Sequence, residues 1–319
     1  MTLPPPVELG PRDLLVLRAL GLGDLLTGVP ALRGLRRRFP GHRLVLAAPQ
    51  AVGGFLHRHG VVDEVLVTRG LEPLRVTGSG HLAVDLHGNG PASRDLLAAT
   101  GPGDLLGFGT DGYDGPTWYR HEHEVARWCR LVAARDAHGG PEDLRLRPRG
   151  PVPEGPVVVH PGAAYASRRW PLERWREVVG HLVRAGHDVV VTGTADEADL
   201  GADLARAGAR DRCGASTLDE LADLVGSARL VLSGDTGTAH LATACATPSV
   251  LLFGPTPPAW WGPAVDLDRH TVLWHGDPDA RDYVGDPHGA EVDPTLARIT
   301  VPEVLAATRP LIASPGAAA

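Results

Sequence analysis

The segment that most constrains this chain is Val231-Leu-Ser-Gly-Asp-Thr-Gly-Thr-Ala-His-Leu-Ala-Thr-Ala-Cys245, which runs on into Pro248-Ser-Val-Leu-Leu-Phe-Gly-Pro255. It reads as an apolar strand, a Gly-Asp-Thr-Gly turn, an alanine-rich helix and a second apolar strand. The turn sets Asp235 where a strand hands over to a helix, at the carboxyl edge of a sheet. Open α/β sheets bind ligands along that edge. A helix start there offers free backbone N–H groups and the positive end of a dipole, which suits a phosphate. The segment therefore reads as a cradle for a diphosphate and its sugar.

The same alternation fills both halves of the 319 residues. In the first half, Leu14–Leu17 reads as a buried strand, followed by a Gly-rich turn (Leu20 to Asp24) and a helix with Leu25, Val29, Leu32 and Leu35 on one face. Further strands are read at Arg43–Ala47, Glu64–Val67 and His81–Leu86, with helical stretches around Phe55 and after Ser93, and a longer helix over Tyr119–Ala134. Arg147–Pro156, rich in breakers, reads as a linker. The pattern restarts with strands at Val157–Val159, Asp188–Thr192, Arg229–Ser233 and Ser249–Phe253. A helix is expected over Pro171–Ala185, and Thr217-Leu-Asp-Glu220 matches a capping box before another. Alternating strands and helices imply an α/β chain of two domains, 1–150 and 151–300, each with a mostly parallel sheet. The last segment, 301–319, reads as a helix packing back on the first domain, with a frayed tail from Ser314.

Composition excludes several classes. A net charge of −7 argues against general nucleic-acid binding. Cys129, Cys213 and Cys245 are far apart and form neither a zinc site nor a disulfide frame, which fits a reducing, cytoplasmic setting. No apolar run approaches the roughly 20 residues of a membrane span, so membrane association is peripheral at most. Lysine is absent, so arginine supplies every fixed side-chain cation.

Four further turns carry chemistry. Gly21-Leu-Gly-Asp-Leu-Leu26 mimics a dinucleotide fingerprint, but Leu26 stands at the third glycine position and no acidic residue ends the following strand. Asp24 reads equally well as a helix N-cap. In Val159-His-Pro-Gly-Ala-Ala-Tyr-Ala-Ser-Arg-Arg-Trp-Pro171, Gly162, Ala163 and Ala164 allow close backbone approach, and Arg168 or Arg169 matches phosphate oxygens; the plain alternative is a surface loop. In Thr192-Gly193-Thr-Ala-Asp-Glu197, a carboxylate follows a strand and suits a ribose diol, or is ordinary charge in a first helical turn. Asp85-Leu-His87-Gly-Asn89 ends a strand where an acceptor substrate would lie, or is turn chemistry around a buried Asp. His121-Glu-His123 reads as a helix start, and Asp111–Asp114 and Asp277–Asp279 as turns, so no metal site is expected.

These pieces, in this order, resemble glycosyltransferase family 9, the heptosyltransferase-like family. The resemblance covers nearly the whole chain: Gly23-Asp24, Val29-Pro-Ala-Leu32, Phe39-Pro40, His160-Pro-Gly162, Arg168-Arg-Trp-Pro171, Gly193 to Glu197, Ser233 to His240, Phe253-Gly-Pro-Thr256, Trp261-Gly-Pro263 and Gly285-Asp-Pro287. It implies a GT-B architecture of two Rossmann-like domains, the first taking the acceptor and the second a nucleotide sugar. It implies inverting, metal-independent transfer without a cofactor, from ADP-heptose or a similar donor to a saccharide, lipid-linked or small-molecule acceptor. Carried over by position, it makes Asp24 the general base. Arg168, where relatives often carry Lys, contacts the diphosphate, and Glu197 the ribose. Asp235, Thr236 and Gly237 contact donor sugar and phosphate, with His240 close by. Ala163 and Ala164 stand where some relatives place hydroxyls, leaving only backbone donors. A GT-B epimerase or phosphorylase and a non-catalytic nucleotide-sugar-binding subunit are the alternatives.

Overall fold

The computed structural model describes residues 5–146 and 152–313. The chain divides into two compact units, one ending at Leu144 and the other beginning at Arg145. Residues 147–151 of the expected linker, and the expected tail from Ser314, lie outside the described residues.

The first unit runs β1 (Val7–Leu9), β2 (Asp13–Leu17), α1 (Leu22–Arg38), β3 (Arg43–Ala48), α2 (Gln50–Arg58), β4 (Glu64–Val67), β5 (Val76–Gly78), β6 (Leu82–Asp85), α3 (Pro91–Ala98), β7 (Asp104–Leu106) and α4 (Glu124–Ala133). Five strands form a parallel sheet in the order β4-β3-β2-β6-β7, and β1 pairs with β5 in a separate two-stranded one. Leu14 to Leu17 are all sealed from solvent, as expected of a central strand covered on both faces. Helix α1 ends on Arg36, Arg37 and Arg38, where cations meet the negative end of its dipole.

The second unit runs β8 (Val157–His160), α5 (Leu172–Arg184), β9 (Val189–Val191), α6 (Ala198–Ala205), β10 (Arg210–Asp211), α7 (Leu218–Gly226), β11 (Leu230–Gly234), α8 (Gly237–Ala244), β12 (Ser249–Leu252), α9 (Pro258–Trp261), β13 (His270–Leu273), α10 (Pro294–Ala297) and α11 (Val301–Ala313). Its six strands are parallel, in the order β10-β9-β8-β11-β12-β13. The face of α5 read from its apolar spacing is the buried one: Trp175, Val178, Val179 and Leu182 join the valines of β8 and β9 in one core. The capping box at Thr217 is present, with Thr217 Oγ1 accepting from the Glu220 amide and the Glu220 side chain from the Thr217 amide.

One expectation needs correction. The long helix begins at Glu124 rather than Tyr119. His123 caps it by accepting from the Val125 amide, and the carbonyls of Tyr119, Arg120 and Glu122 turn inward to Arg127. The C-terminal helix has its apolar face in the core of the second unit. Val301, Val304 and Ala307 belong to the core of that unit's sheet, and the Ile312 carbonyl accepts from Arg229.

One buried group links this core to pH. His270, at the start of β13, is shielded from solvent and shares a 2.8 Å hydrogen bond with Ser249 Oγ. Burial pulls its pKa down to about 4, against the pull of Asp266 and Asp268. An unfolded histidine titrates near 6.5. Below that pH the unfolded chain takes up a proton that the folded one refuses, so stability falls from about pH 6.5 down to about 4. Denaturant unfolding followed against pH is expected to show a shallower decline over that window in His270→Asn than in the wild type; equal slopes would contradict the assignment.

Candidate functional site

In the second unit the chain lays down β8, β9 and β10 toward one side, then returns to add β11, β12 and β13 on the other. The strand order reverses between β8 and β11, where Ser233 pairs with His160. The crevice beyond the carboxyl ends at such a reversal is where α/β sheets bind ligands. Three of the candidate turns, 160–171, 192–197 and 233–240, lie at that edge.

Thr236 is the N-cap of α8, in extended conformation, and its hydroxyl lies 3.0 Å from Ser233 Oγ rather than on a helix amide. The first-turn amides of α8 therefore receive no side-chain cap. Asp235, only 6% exposed, precedes that turn. The Arg168 guanidinium approaches it, with Nη1 3.3 Å from the Asp235 carbonyl and 4.0 Å from Oδ2. Arg168 Nε and the neighbouring Ser167 Oγ are buried with no hydrogen-bond partner. Unpaired buried donors of this kind call for an acceptor, and at an uncapped helix start the fitting acceptor is an anion.

The two arginines read as a pair divide their roles. Arg169 donates from Nε to the Ala163 carbonyl at 2.8 Å, so it braces the loop, while Arg168 supplies the cation beside Asp235. The brace holds Gly162, Ala163 and Ala164 beside Glu197. A Cβ on Gly162 would lie 2.0 Å from Glu197 Oε1, so any other residue there must displace that carboxylate. Glu197 Oε2 accepts from the Thr194 amide at 2.8 Å in a capping box, which fixes the carboxylate after Thr192 and Gly193. His160 shares a 3.0 Å hydrogen bond with Thr192 Oγ1. Burial lowers its pKa despite nearby Glu197, so the imidazole is neutral at this edge. His240, on α8, meets the Trp261 ring edge-on at 5.9 Å.

The first unit repeats the reversal, between β2 and β6, where Leu17 pairs with Asp85. Asp24 stands beyond that edge. The N-cap of α1 is Gly21, so Asp24 lies in the first helical turn and is not the cap. Its side chain is 34% exposed, open to a reactant. Asp85 is not an acceptor contact. It is fully buried, and its oxygens accept from Arg94 Nε at 2.6 Å, Ser93 Oγ at 2.6 Å and the His87 amide at 2.8 Å. The buried-Asp alternative holds: Asp85 builds the turn that presents His87 and the exposed Asn89. His87 Nδ1 accepts from the Ala19 amide at 3.2 Å, which places a neutral ring's proton on Nε2. Among the described residues no three His, Cys, Asp or Glu gather as metal ligands, and no helix is long and apolar enough to cross a membrane.

The sequence profile of glycosyltransferase family 9 (heptosyltransferase) matches residues 121–282. The chain belongs to glycosyltransferase family 9. Among curated relatives, lipooligosaccharide heptosyltransferase 2 of Haemophilus influenzae is 30% identical over 129 residues, 38% of this chain and 37% of that protein. Lipopolysaccharide heptosyltransferase 1 of Pseudomonas aeruginosa is 33% identical over 111 residues, 33% of this chain and 30% of that protein. The chain thus spans about a third of the length of these relatives. Whole-fold likeness reaches further. A family 9 glycosyltransferase from Veillonella parvula superposes with a TM-score of 0.77 at 18% identity, covering 96% of this chain and 99% of that one. An Escherichia coli heptosyltransferase solved with ADP gives 0.71 at 18% identity, covering 94% and 99%. The fold is GT-B, built from parallel α/β units.

Membership in the family leaves some residues that sequence reasoning passed over. Ser167 is one; its polar burial has no sequence signature. Arg18 is another, and it did have one: a cation directly after the apolar run Leu14–Leu17 is out of place in a buried strand. Glu124 and Trp128, on α4, were read only as parts of a helix.

The Gly162–Glu197 contact gives a direct test. Gly162→Ala forces a Cβ into the Glu197 carboxylate, an overpacking that typically costs about 1–3 kcal/mol. Calorimetry is expected to show a melting temperature lower by several degrees, at about 2–4 °C per kcal/mol for a unit of this size. An unchanged melting temperature would mean the loop yields freely.

Proposed function

We propose that this protein transfers a heptose-like sugar, with inversion, from a nucleoside diphosphate donor to a hydroxyl of a glycan or other acceptor. ADP-heptose is the first donor to test, since a relative of the same fold was solved with an ADP-heptose analogue. The observation that carries the reading is Arg168 beside Asp235 at the uncapped start of α8, with buried donors left over. In this reading the second unit takes the nucleotide sugar and the first the acceptor.

The chemistry follows from these groups. Displacement at the anomeric carbon passes through an oxocarbenium-like state, and the departing diphosphate gains negative charge. Arg168 and the first amides of α8 are fixed before that charge develops, so they stabilise it with little reorganisation. The loop of Gly162, Ala163 and Ala164, braced by Arg169, adds only backbone donors. Glu197, beside Thr192 and Gly193, holds the ribose; Thr236, Gly237 and His240 border the sugar. The acceptor hydroxyl is a poor nucleophile until its proton is taken, and Asp24 takes it. One base with no second nucleophilic carboxylate implies a single displacement and an inverted product. No divalent metal is required in this scheme. Acceptor contact on the first unit falls to His87 and Asn89, with Asp85 holding their turn.

The test is ADP release from ADP-heptose with and without a panel of saccharide and lipid-linked acceptors. Release only with an acceptor supports transfer; acceptor-independent conversion points to an epimerase or phosphorylase; ADP binding with no turnover on any acceptor points to a silent binding subunit. Asp24→Asn is expected to reduce turnover by about 10²–10⁴-fold while calorimetric ADP affinity stays within twofold. Arg168→Met is expected to weaken ADP by about ten- to a hundredfold, the loss of one or two charge-assisted hydrogen bonds. Unaltered turnover in Asp24→Asn would reject the base, and unaltered ADP affinity in Arg168→Met would reject the diphosphate site.

A further inference from the structure

We infer that Trp261 is the platform on which the sugar of the nucleotide donor rests, the apolar face of a pyranose lying against its ring and a hydroxyl on its indole N–H. The inference deepens the proposed function and rests on the reading of the second unit as the donor site.

The strand order sets the direction of the ligand. Along the carboxyl edge, β9, β8, β11 and β12 stand side by side in that order. Glu197 follows β9, Arg168 follows β8, and Asp235 with the start of α8 follows β11. A nucleotide sugar is linear, with its diphosphate between ribose and sugar. With the ribose at the first of these turns and the diphosphate at the next two, the sugar lies beyond the diphosphate, at the turn after β12.

That turn runs from Phe253 to Pro263 and is mostly closed. Phe253 to Pro257 are buried. Trp260 is buried too, its ring edge-on to Tyr283 at 5.3 Å. Of the three aromatic side chains in the turn, Trp261 alone is partly open to solvent. It ends α9, and the Gly262 amide closes that helix by donating to the Pro258 carbonyl at 2.7 Å. A Cβ on Gly262 would meet that carbonyl oxygen at 2.6 Å, so the closure that fixes Trp261 depends on having no side chain there.

Trp261 packs on the buried cluster of Ala239, Leu251 and Phe253, and its ring meets His240. Ala239 and His240 lie in the first turn of α8, so the indole stands beside the helix start that faces the diphosphate. Trp274 packs on the same cluster, but its indole N–H donates to the Gly254 carbonyl at 2.9 Å, so the fold uses both its apolar body and its polar end. The Trp261 N–H has no hydrogen-bond partner among the described residues. An indole with its body anchored and its N–H unspent suits a boundary between apolar and polar groups. A pyranose offers the matching chemistry, with C–H groups on one face and hydroxyls at the rim. A role confined to packing would serve ADP and an ADP-sugar alike.

The test is calorimetric affinity for two probes, ADP and ADP-heptose, which differ by the sugar. Trp261→Ala is expected to weaken ADP-heptose about tenfold, roughly the worth of one neutral hydrogen bond with the stacked face added, while ADP stays within twofold. Trp261→Phe, which keeps a ring without the N–H, is expected to recover part of the loss. An unmoved ADP-heptose affinity in Trp261→Ala, or equal losses for the two probes, overturns the inference. Arg168→Met separates this claim from the diphosphate reading, since it is expected to weaken both probes. If it weakens neither, the donor site is rejected and the platform with it; if it weakens both while Trp261→Ala weakens neither, only the platform is rejected. Should Trp261→Ala fail to fold, the indole N–H resonance of Trp261, identified by its loss in Trp261→Phe, carries the test in the unaltered protein. A larger shift with ADP-heptose than with ADP supports the platform, and equal shifts overturn it.

Discussion

Parallel pairing places the carboxyl ends of all strands in a sheet on one edge, so every strand-to-helix turn of a unit forms there. That constraint organises both halves of this protein. In each unit the first strand of the large sheet is central: β2 in one, β8 in the other. The chain builds outward on one side and then returns to build on the other. The turns after β2 and β6 therefore meet in the first unit, as do the turns after β8 and β11 in the second. Asp24 and His87 follow the first pair of strands; Gly162, Arg168 and Asp235 follow the second pair. Residues up to 73 positions apart in sequence share an edge because the strand order reverses beneath them.

Much of this was legible because a strand buried on both faces must be apolar throughout. Leu14–Leu17, Arg43–Ala48, Val157–Val159 and Ser249–Leu252 announce themselves that way, and the helix over Leu172–Arg184 shows its apolar period. Three edge strands did not. Asp104–Leu106, Arg210–Asp211 and His270–Leu273 are short, partly exposed and mixed in polarity, so nothing local marks them as strands. At the site, residue types at turns were readable but their partners were not. Asp85 looked available for a ligand; only the fold shows Arg94 and Ser93 already holding it. Residue type alone left Arg168 and Arg169 equivalent; the resemblance singled out Arg168, and the Ala163 carbonyl shows how Arg169 is occupied.

The absence of lysine makes these distinctions sharper. A guanidinium presents donors in a fixed planar fork and stays charged when buried, whereas an ammonium is a compact point charge that loses its proton more readily. Arg18 uses the fork on neutral backbone and hydroxyl acceptors, which leaves its charge to be answered by carboxylates. Arg169 uses it as a brace on backbone. Arg168 retains a buried Nε without a partner beside a helix start. The same side chain thus serves as scaffold, clamp and candidate anion contact according to which of its donors the fold has already satisfied.

The central claim is that a nucleoside diphosphate lodges at the β8–β11 reversal. Amide hydrogen exchange with and without ADP tests it most directly, because it reports on backbone donors at every turn at once. The account predicts slowed exchange in 161–169, 192–197 and 234–240, with the turn at 21–24 unchanged. Protection confined to the first unit, or none at the start of α8, would contradict it.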